Sequence, residues 1–277
     1  MTLKIRTLTM ALAGLSLIGI AGAQATGING IVVHPYVFAD FPNSGFTSSG
    51  TFPNVTFDDP NVDTAGQGTG SGSFANRHIW RTSNDGGTTD YGLTGPNDFF
   101  NFTFNLNLTA VDTASRKEAG FIITTGSGTD LDSQFILTSN SGNAGEIAAF
   151  GGAFPFYSFT VSNSLRYTEG TTVSMGVSYF QDLTDVGHTY HLQYMYNGTL
   201  SPAMRLGNNF DVTGLPTGTT LGAYLQIPKD PNNAANQNGA HAVWSNISVA
   251  PVPEPASLTA MGLGALALIR RRRAKRA

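Results

Sequence analysis

Between residues 26 and 250 the chain has only three glutamates, Glu118, Glu146 and Glu169. Glycoside hydrolysis places two carboxyl groups about 5 to 9.5 Å apart on either side of one bond. No two of these three fall on one strand-length segment, so no catalytic residue is assigned. His188 and His191 are the nearest pair among five histidines. A spacing of three puts them on one face of a helix but on opposite faces of a strand. Their plain reading is surface or cavity-lining, and no metal ligand is assigned. His-Glu-x-x-His, Gly-x-Ser-x-Gly and Gly-x-x-x-x-Gly-Lys are all absent. The stretch Gly66 to Gly72 lacks the lysine and the helix that a phosphate cradle needs, and reads as a loop.

Carboxylates cluster at Asp58, Asp59 and Asp63, and again at Asp130 and Asp132. Calcium takes several oxygen ligands, but neither cluster has the spacing of an EF-hand loop. Solvated turn aspartates are the first reading and a structural calcium ion the alternative; no other cofactor is expected. Sugars bind to flat apolar faces flanked by fixed polar groups. The run Phe150-Gly151-Gly152-Ala153-Phe154-Pro155-Phe156-Tyr157 offers aromatics in a turn-rich setting, either as such faces or as pins holding a loop to the core. Ligand-binding residues are otherwise not assignable from the sequence.

The elements that would carry these groups read as strands. Phe100, Phe102, Phe104, Leu106 and Leu108 alternate with polar residues through Phe99 to Ala110, which gives one apolar wall and one polar wall. Thr171 to Phe180 repeats the pattern with Val173, Met175, Val177 and Tyr179, and Thr189 to Asn197 with Tyr190, Leu192, Tyr194 and Tyr196. Weaker strand signals lie at Ile31 to Phe38, Phe74 to Trp80, Gly120 to Thr125, Gln134 to Thr138, Leu221 to Ile227 and Val243 to Val249. Turn-rich stretches separate them, and no helical apolar period interrupts the series. Successive short strands without alternating helices predict two packed antiparallel sheets.

The two ends differ from this body. Lys4 and Arg6 precede an apolar run from Leu8 to Ile20 and the small residues Ala23-Gln24-Ala25, the layout of a cleaved secretory signal peptide. At the other end Pro253-Glu254-Pro255 leads into an apolar run from Ala256 to Ile269. A basic cluster of Arg270, Arg271, Arg272, Arg273, Lys275 and Arg276 follows. A comfortable membrane helix has about 20 residues, so this run predicts a short, weak membrane helix. Its arginines stay on the cytoplasmic side.

The tail resembles the PEP-CTERM sorting signal of Gram-negative bacteria. The N-terminal layout implies signal peptidase as a partner, and the tail's resemblance implies an exosortase-type peptidase and transient membrane attachment before release to the cell surface or extracellular matrix. Tails of this type also carry the label of an ice-binding-protein C-terminal domain, which describes the tail and not an activity of the body. The organisation expected is a signal peptide at 1–25, a β-sandwich at 26–250 and a sorting tail at 251–277. The body resembles a concanavalin A-like, laminin-G-like jelly roll, in which the first and last strands are neighbours. That resemblance predicts Ile31 to Phe38 beside Val243 to Val249. Jelly-roll glycosidases of this kind carry Glu-x-Asp-x-x-Glu on one strand, which this chain lacks.

The body's seven basic residues face 17 acidic ones, the chain's 18 less Glu254, for a net charge of −10. A surface this acidic excludes nucleic acid, whose binding depends on neutralising phosphates. Without cysteine, the exported body must be stable through its hydrophobic core alone. The function expected is a non-enzymatic surface or matrix protein, structural or polysaccharide-binding. The alternative is a carbohydrate-active lyase or hydrolase on the same fold. An enzyme requires a concave groove lined by clustered Arg, His, Tyr or carboxylate, whereas a binder shows aromatics and amides without them.

Overall fold

The computed structural model describes residues 27–62, 74–110, 116–126, 132–139, 145–187, 189–229 and 238–252. The alternating segment becomes β5 (Phe100–Ala110), at the centre of an eight-stranded antiparallel sheet. On one side it pairs with β10 (Thr172–Gln181), aligning Phe104 with Met175 and Phe102 with Val177. On the other it pairs with β15 (Asn238–Pro251), aligning Leu106 with Trp244. Beyond β10 lie β11 (Tyr190–Tyr196) and the short β12 (Thr199–Leu200). Beyond β15 lie β3 (Val55–Val62) and the three-residue β2 (Thr47–Ser49). A two-residue strand, β13 (Met204–Arg205), also pairs with β11.

The second sheet has seven strands in the order β1 (Gly30–Ala39), β4 (Ala75–Ser83), β14 (Thr220–Pro228), β6 (Glu118–Thr124), β7 (Asp132–Thr138), β8 (Ile147–Phe150) and β9 (Tyr157–Ser158). Every pairing in both sheets is antiparallel. The inner faces of the two sheets meet in one aromatic-rich core. Phe104 stacks on Phe121 at 4.0 Å, and Trp80 makes edge contacts with Phe102 and Trp244 at 6.1 Å each. Aromatic pairs of this kind add about 0.5–1.5 kcal/mol each beyond their buried area. The body is therefore an all-β, two-sheet jelly-roll sandwich. Its described helices are two single turns, α1 (Phe159–Asn163) and α2 (Phe210–Thr213).

Strands β6, β7 and β14 are buried along almost their whole length. Phe121, Phe135 and Leu225 enter the main core, while Ile79, Ile122, Ile136 and Tyr224 form a separate buried cluster on the outer face of the seven-stranded sheet. Burial on both faces explains why these segments read as continuous apolar runs and not as alternations.

The predicted adjacency of the first and last strands is not found. β1 is the edge of the seven-stranded sheet, whereas both sides of β15 are taken by β3 and β5 in the other sheet. Ile31 and Val33 on β1 pack into the core from their own sheet. The predicted signal peptide and C-terminal membrane helix fall in residues 1–26 and 253–277, outside the described residues. No helix among the described residues is long and apolar enough to cross a membrane.

Candidate functional site

Paired residues on adjacent strands point to the same face of a sheet, so register alone identifies what shares the outer face of the seven-stranded sheet. Arg77 pairs with Gln226, and Gln226 with Glu118. One step along, His34 pairs with Ile79 and Ile79 with Tyr224. One step further, Arg81 pairs with Gly222, Gly222 with Ile122, and Ile122 with Gln134.

Side-chain contacts join these positions. Arg77 Nε donates to Gln226 Oε1 at 2.7 Å and Nη1 to Asp132 Oδ2 at 3.3 Å, with its guanidinium 5.2 Å from the Tyr224 ring centre. The Tyr224 hydroxyl lies 3.1 Å from Gln134 Oε1 and 3.3 Å from Glu118 Oε2, and Gln226 Nε2 donates to the same Glu118 oxygen. Thr124 donates to the other oxygen of Asp132. Arg116 donates to Glu118 through Nε and Nη2, and to Glu146 through Nη1.

The Arg77–Asp132 contact also reports the shape of this face. By register the two residues are three strands and six residues apart. On a flat sheet that is about 25 Å, from ~4.8 Å between strands and ~3.3 Å per residue. Two side chains bridge such a span only if the outer face curls into a trough. Tyr224 lies on its floor. Desolvation first, and then the nearby Glu118 charge, push the Tyr224 hydroxyl well above its ordinary range, with Arg77 opposing. The phenol therefore stays protonated and donates.

At the β1 side of the trough, His34 Nε2 meets Asp90 Oδ1 at 2.7 Å, and Arg81 Nη1 donates to Asp90 Oδ2 at 2.9 Å. One carboxylate thus orients both an imidazole and a guanidinium. The His34 side chain is 33% exposed, the most open of the trough's ionisable groups on β1 and β4. Arg81 Nε is buried without a hydrogen-bond partner. Orphaned buried donors are rare; this one lies on the guanidinium that holds Asp90.

The residues singled out by sequence are not brought together. His188 is outside the described residues. His191 lies on β11 in the other sheet, against Thr189 and Asp185, whose second oxygen takes Arg205. Asp58 and Asp59 point to opposite faces of β3: Asp58 is half exposed near His241, while Asp59 is buried against His78. Asp63 and Asp130 are outside the described residues, and Asp132 is committed to Arg77 and Thr124. Among the described residues no group of three candidate ligands could hold a metal, so the calcium alternative finds no site there. Of the aromatic run, Phe154 is buried in the core, Phe150 packs under the outer-face cluster, and Phe156 is 71% exposed. Phe154 thus pins the loop to the core, while Phe156 faces solvent.

Sequence reasoning missed the trough. A usable signal was present: Arg77 and Arg81 are two of only seven basic residues in the body, and their even spacing puts them on one face of β4, although the predicted strand, Phe74 to Trp80, stops one residue short of Arg81.

The PEP-CTERM protein-sorting motif matches residues 251–273. The chain therefore carries this sorting signal, which implies export, a membrane-anchored intermediate and processing by an exosortase. The match includes Pro253, Glu254, Pro255 and Arg270 to Arg273, and the basic cluster continues beyond it at Lys275 and Arg276. No curated protein matches the chain. Similar solved structures include an alginate lyase from Pseudomonas aeruginosa, 14% identical with a TM-score of 0.47 over 77% of this chain and 88% of that one. The alginate lyase Aly36B is 11% identical with a TM-score of 0.45, covering 82% and 99%. The marine PL7 alginate lyase AlyA1 from Zobellia galactanivorans is 13% identical with a TM-score of 0.42, covering 76% and 81%. These likenesses transfer no activity, substrate or residue role. The expectation of a non-enzymatic body is nevertheless corrected. The trough holds the clustered Arg, His, Tyr and carboxylate that the enzymatic alternative requires.

Proposed function

We propose that the body, residues 26–250, is a glycan-active enzyme that cleaves an acidic polysaccharide by β-elimination in the trough of the seven-stranded sheet. The 1–25 leader is removed by signal peptidase and the 251–277 tail by an exosortase, which delivers the enzyme to the polysaccharide-rich surface of a Gram-negative cell. The observation that carries this reading is the clustering of Arg77, Arg81, His34–Asp90 and Tyr224 on one curved face. In β-elimination from a uronate, a base removes the proton beside the carboxyl group. The bond from the ring to the leaving oxygen breaks as a carbon–carbon double bond forms, and the leaving oxygen takes a proton from water, whose hydroxide is neutralised when the base releases the proton it gained. With its guanidinium held by Gln226 and Asp132, Arg77 neutralises the sugar carboxylate, which acidifies that proton. His34, held by Asp90, takes it. Tyr224 acts from the floor as a positioning residue, joining Arg77, Glu118 and Gln134.

Lyase chemistry is favoured over hydrolysis by Arg116. A hydrolase keeps two carboxyls on either side of a sugar bond, but Glu118 and Glu146 have one guanidinium between them. The test is a panel of acidic polysaccharides, alginate among them, with the ultraviolet absorbance of unsaturated ends as the readout. His34→Asn should lower turnover about 10²- to 10⁴-fold, the range for a general base. New reducing ends without unsaturation would replace elimination by hydrolysis, and no cleavage of any polymer would remove the proposal.

A further inference from the structure

We infer that Phe38 and Phe74 form an aromatic platform at the β1 rim of the trough, on which a glycan chain stacks one pyranose ring beyond the reacting sugar. This rests on the reading of the trough as a glycan site and adds a subsite to it. Phe38 is paired with Arg77 and so shares the trough face with it. It is 39% exposed, and Phe74, whose ring centre lies 6.3 Å away at 75°, is 57% exposed. One ring therefore offers its edge to the other, and an apolar surface remains open next to the strand that carries Arg77, with Gln226 one strand further in. A pyranose needs that combination: an apolar C–H face set on a ring and hydroxyls set on fixed polar groups.

The exposure is held in place by the backbone. Between His34 and Phe38 the pairing of β1 with β4 breaks register, and Tyr36 adopts φ 53°, a left-handed conformation that few non-glycine residues take. This bulge is tied down from inside the sandwich. The Tyr36 N–H donates to His78 Nδ1 at 3.1 Å, while His78 Nε2 meets Asp59 at 2.8 Å. The Tyr36 hydroxyl contacts Ser44 and accepts from the Phe46 N–H. Bulges re-aim side chains and concentrate beside functional sites; this one turns Phe38 outward next to Arg77. Phe74 is fixed as well: its N–H donates to the Asp40 carboxylate, and its carbonyl accepts from the Lys229 N–H at 2.6 Å. Two large apolar rings held in water by an ordered backbone are unfavourable for folding, and contact with a ligand relieves that exposure.

The test uses the purified full-length protein with Phe38→Ala, Phe74→Ala and Phe38→Trp. Each alanine variant should raise KM for long polymers roughly tenfold, with the loss carried by KM rather than kcat, and Phe38→Trp should keep the affinity. Gel retardation by immobilised polysaccharide supplies a readout that needs no turnover. If His34→Asn abolishes cleavage while both alanine variants keep the wild-type KM, the platform is refuted and the trough reading stands. If no polymer is cleaved but polysaccharide retards the wild type and not the alanine variants, the platform stands and the elimination reading fails. Neither cleavage nor retardation overturns both.

Discussion

Asp59→Ala tests whether the interior of the sandwich is what holds the trough in shape. Asp59 and His78 are both fully buried and 2.8 Å apart, and Asn76 donates to the same Asp59 oxygen at 3.1 Å. Because His78 Nδ1 accepts the Tyr36 N–H, the proton sits on Nε2 and points at Asp59. Removing the carboxylate strands two buried donors, a loss of about 3–5 kcal/mol for a broken buried pair. Against a typical stability of about 5–15 kcal/mol, and with a urea slope of about 2 kcal/mol/M, the unfolding midpoint should fall by roughly 1.5–2.5 M. Exchange of the Tyr36 amide proton should quicken, since its acceptor is no longer oriented. His78→Leu alone should also destabilise, by leaving the Tyr36 N–H unpaired. The double variant should be less destabilised than the sum of the two singles by about 0.5–3 kcal/mol, the usual coupling for contacting groups. Equilibrium urea unfolding of the four proteins measures this directly. Additivity within about 0.5 kcal/mol would show that the two side chains do not act as a unit, and the support assigned to the bulge would have to be abandoned.

Burial pushes the Tyr167 and Tyr196 hydroxyls up to about 12 from the ordinary 10.0, so the folded protein favours their neutral forms. Their contribution is fully present below pH 10 and is lost as pH rises towards 12. Thermal melts followed together with tyrosinate absorbance should show both changes in that window, and ionisation well before any loss of stability would contradict the assignment. Gly222→Ala places a Cβ 2.0 Å from the Trp80 carbonyl oxygen on the neighbouring strand. It should destabilise by about 1–3 kcal/mol, as overpacking does, and an unchanged melting temperature would refute the close approach. Replacing Pro253, Glu254 and Pro255 together with alanine should leave an unprocessed species in the membrane fraction, seen as a larger band on immunoblots. Normal processing would detach the motif from the cleavage.

Alternation along Phe100 to Leu108, Val173 to Tyr179 and Tyr190 to Tyr196 made three of the larger sheet's eight strands legible in the sequence, because each has one buried face. β3 was not legible. Pro60 and the Asp58–Asp59 pair look like a turn, yet the strand tolerates them. Pro60 lies beyond the short stretch paired with β2, and Asp59 finds His78 inside. The trough was invisible for a different reason. Arg77 and Gln226 touch across 149 residues of chain, and Tyr224 and Glu118 across 106. Each lies on a strand whose apolar content dominates the local pattern. Only the pairing order β4-β14-β6-β7 brings them onto one surface, and no local spacing encodes that order.

Three of the four sheet margins are blunt: β2, β9 and β12 have three, two and two residues. β1, with ten, is the exception, and an open edge of that length invites a second chain to add to it. The kink at Tyr36 interrupts that invitation. A would-be partner can follow the ladder only as far as His34 before the repeat is lost. The same backbone irregularity that turns Phe38 outward therefore guards an exported, crowded protein against zipping into fibres with its own copies.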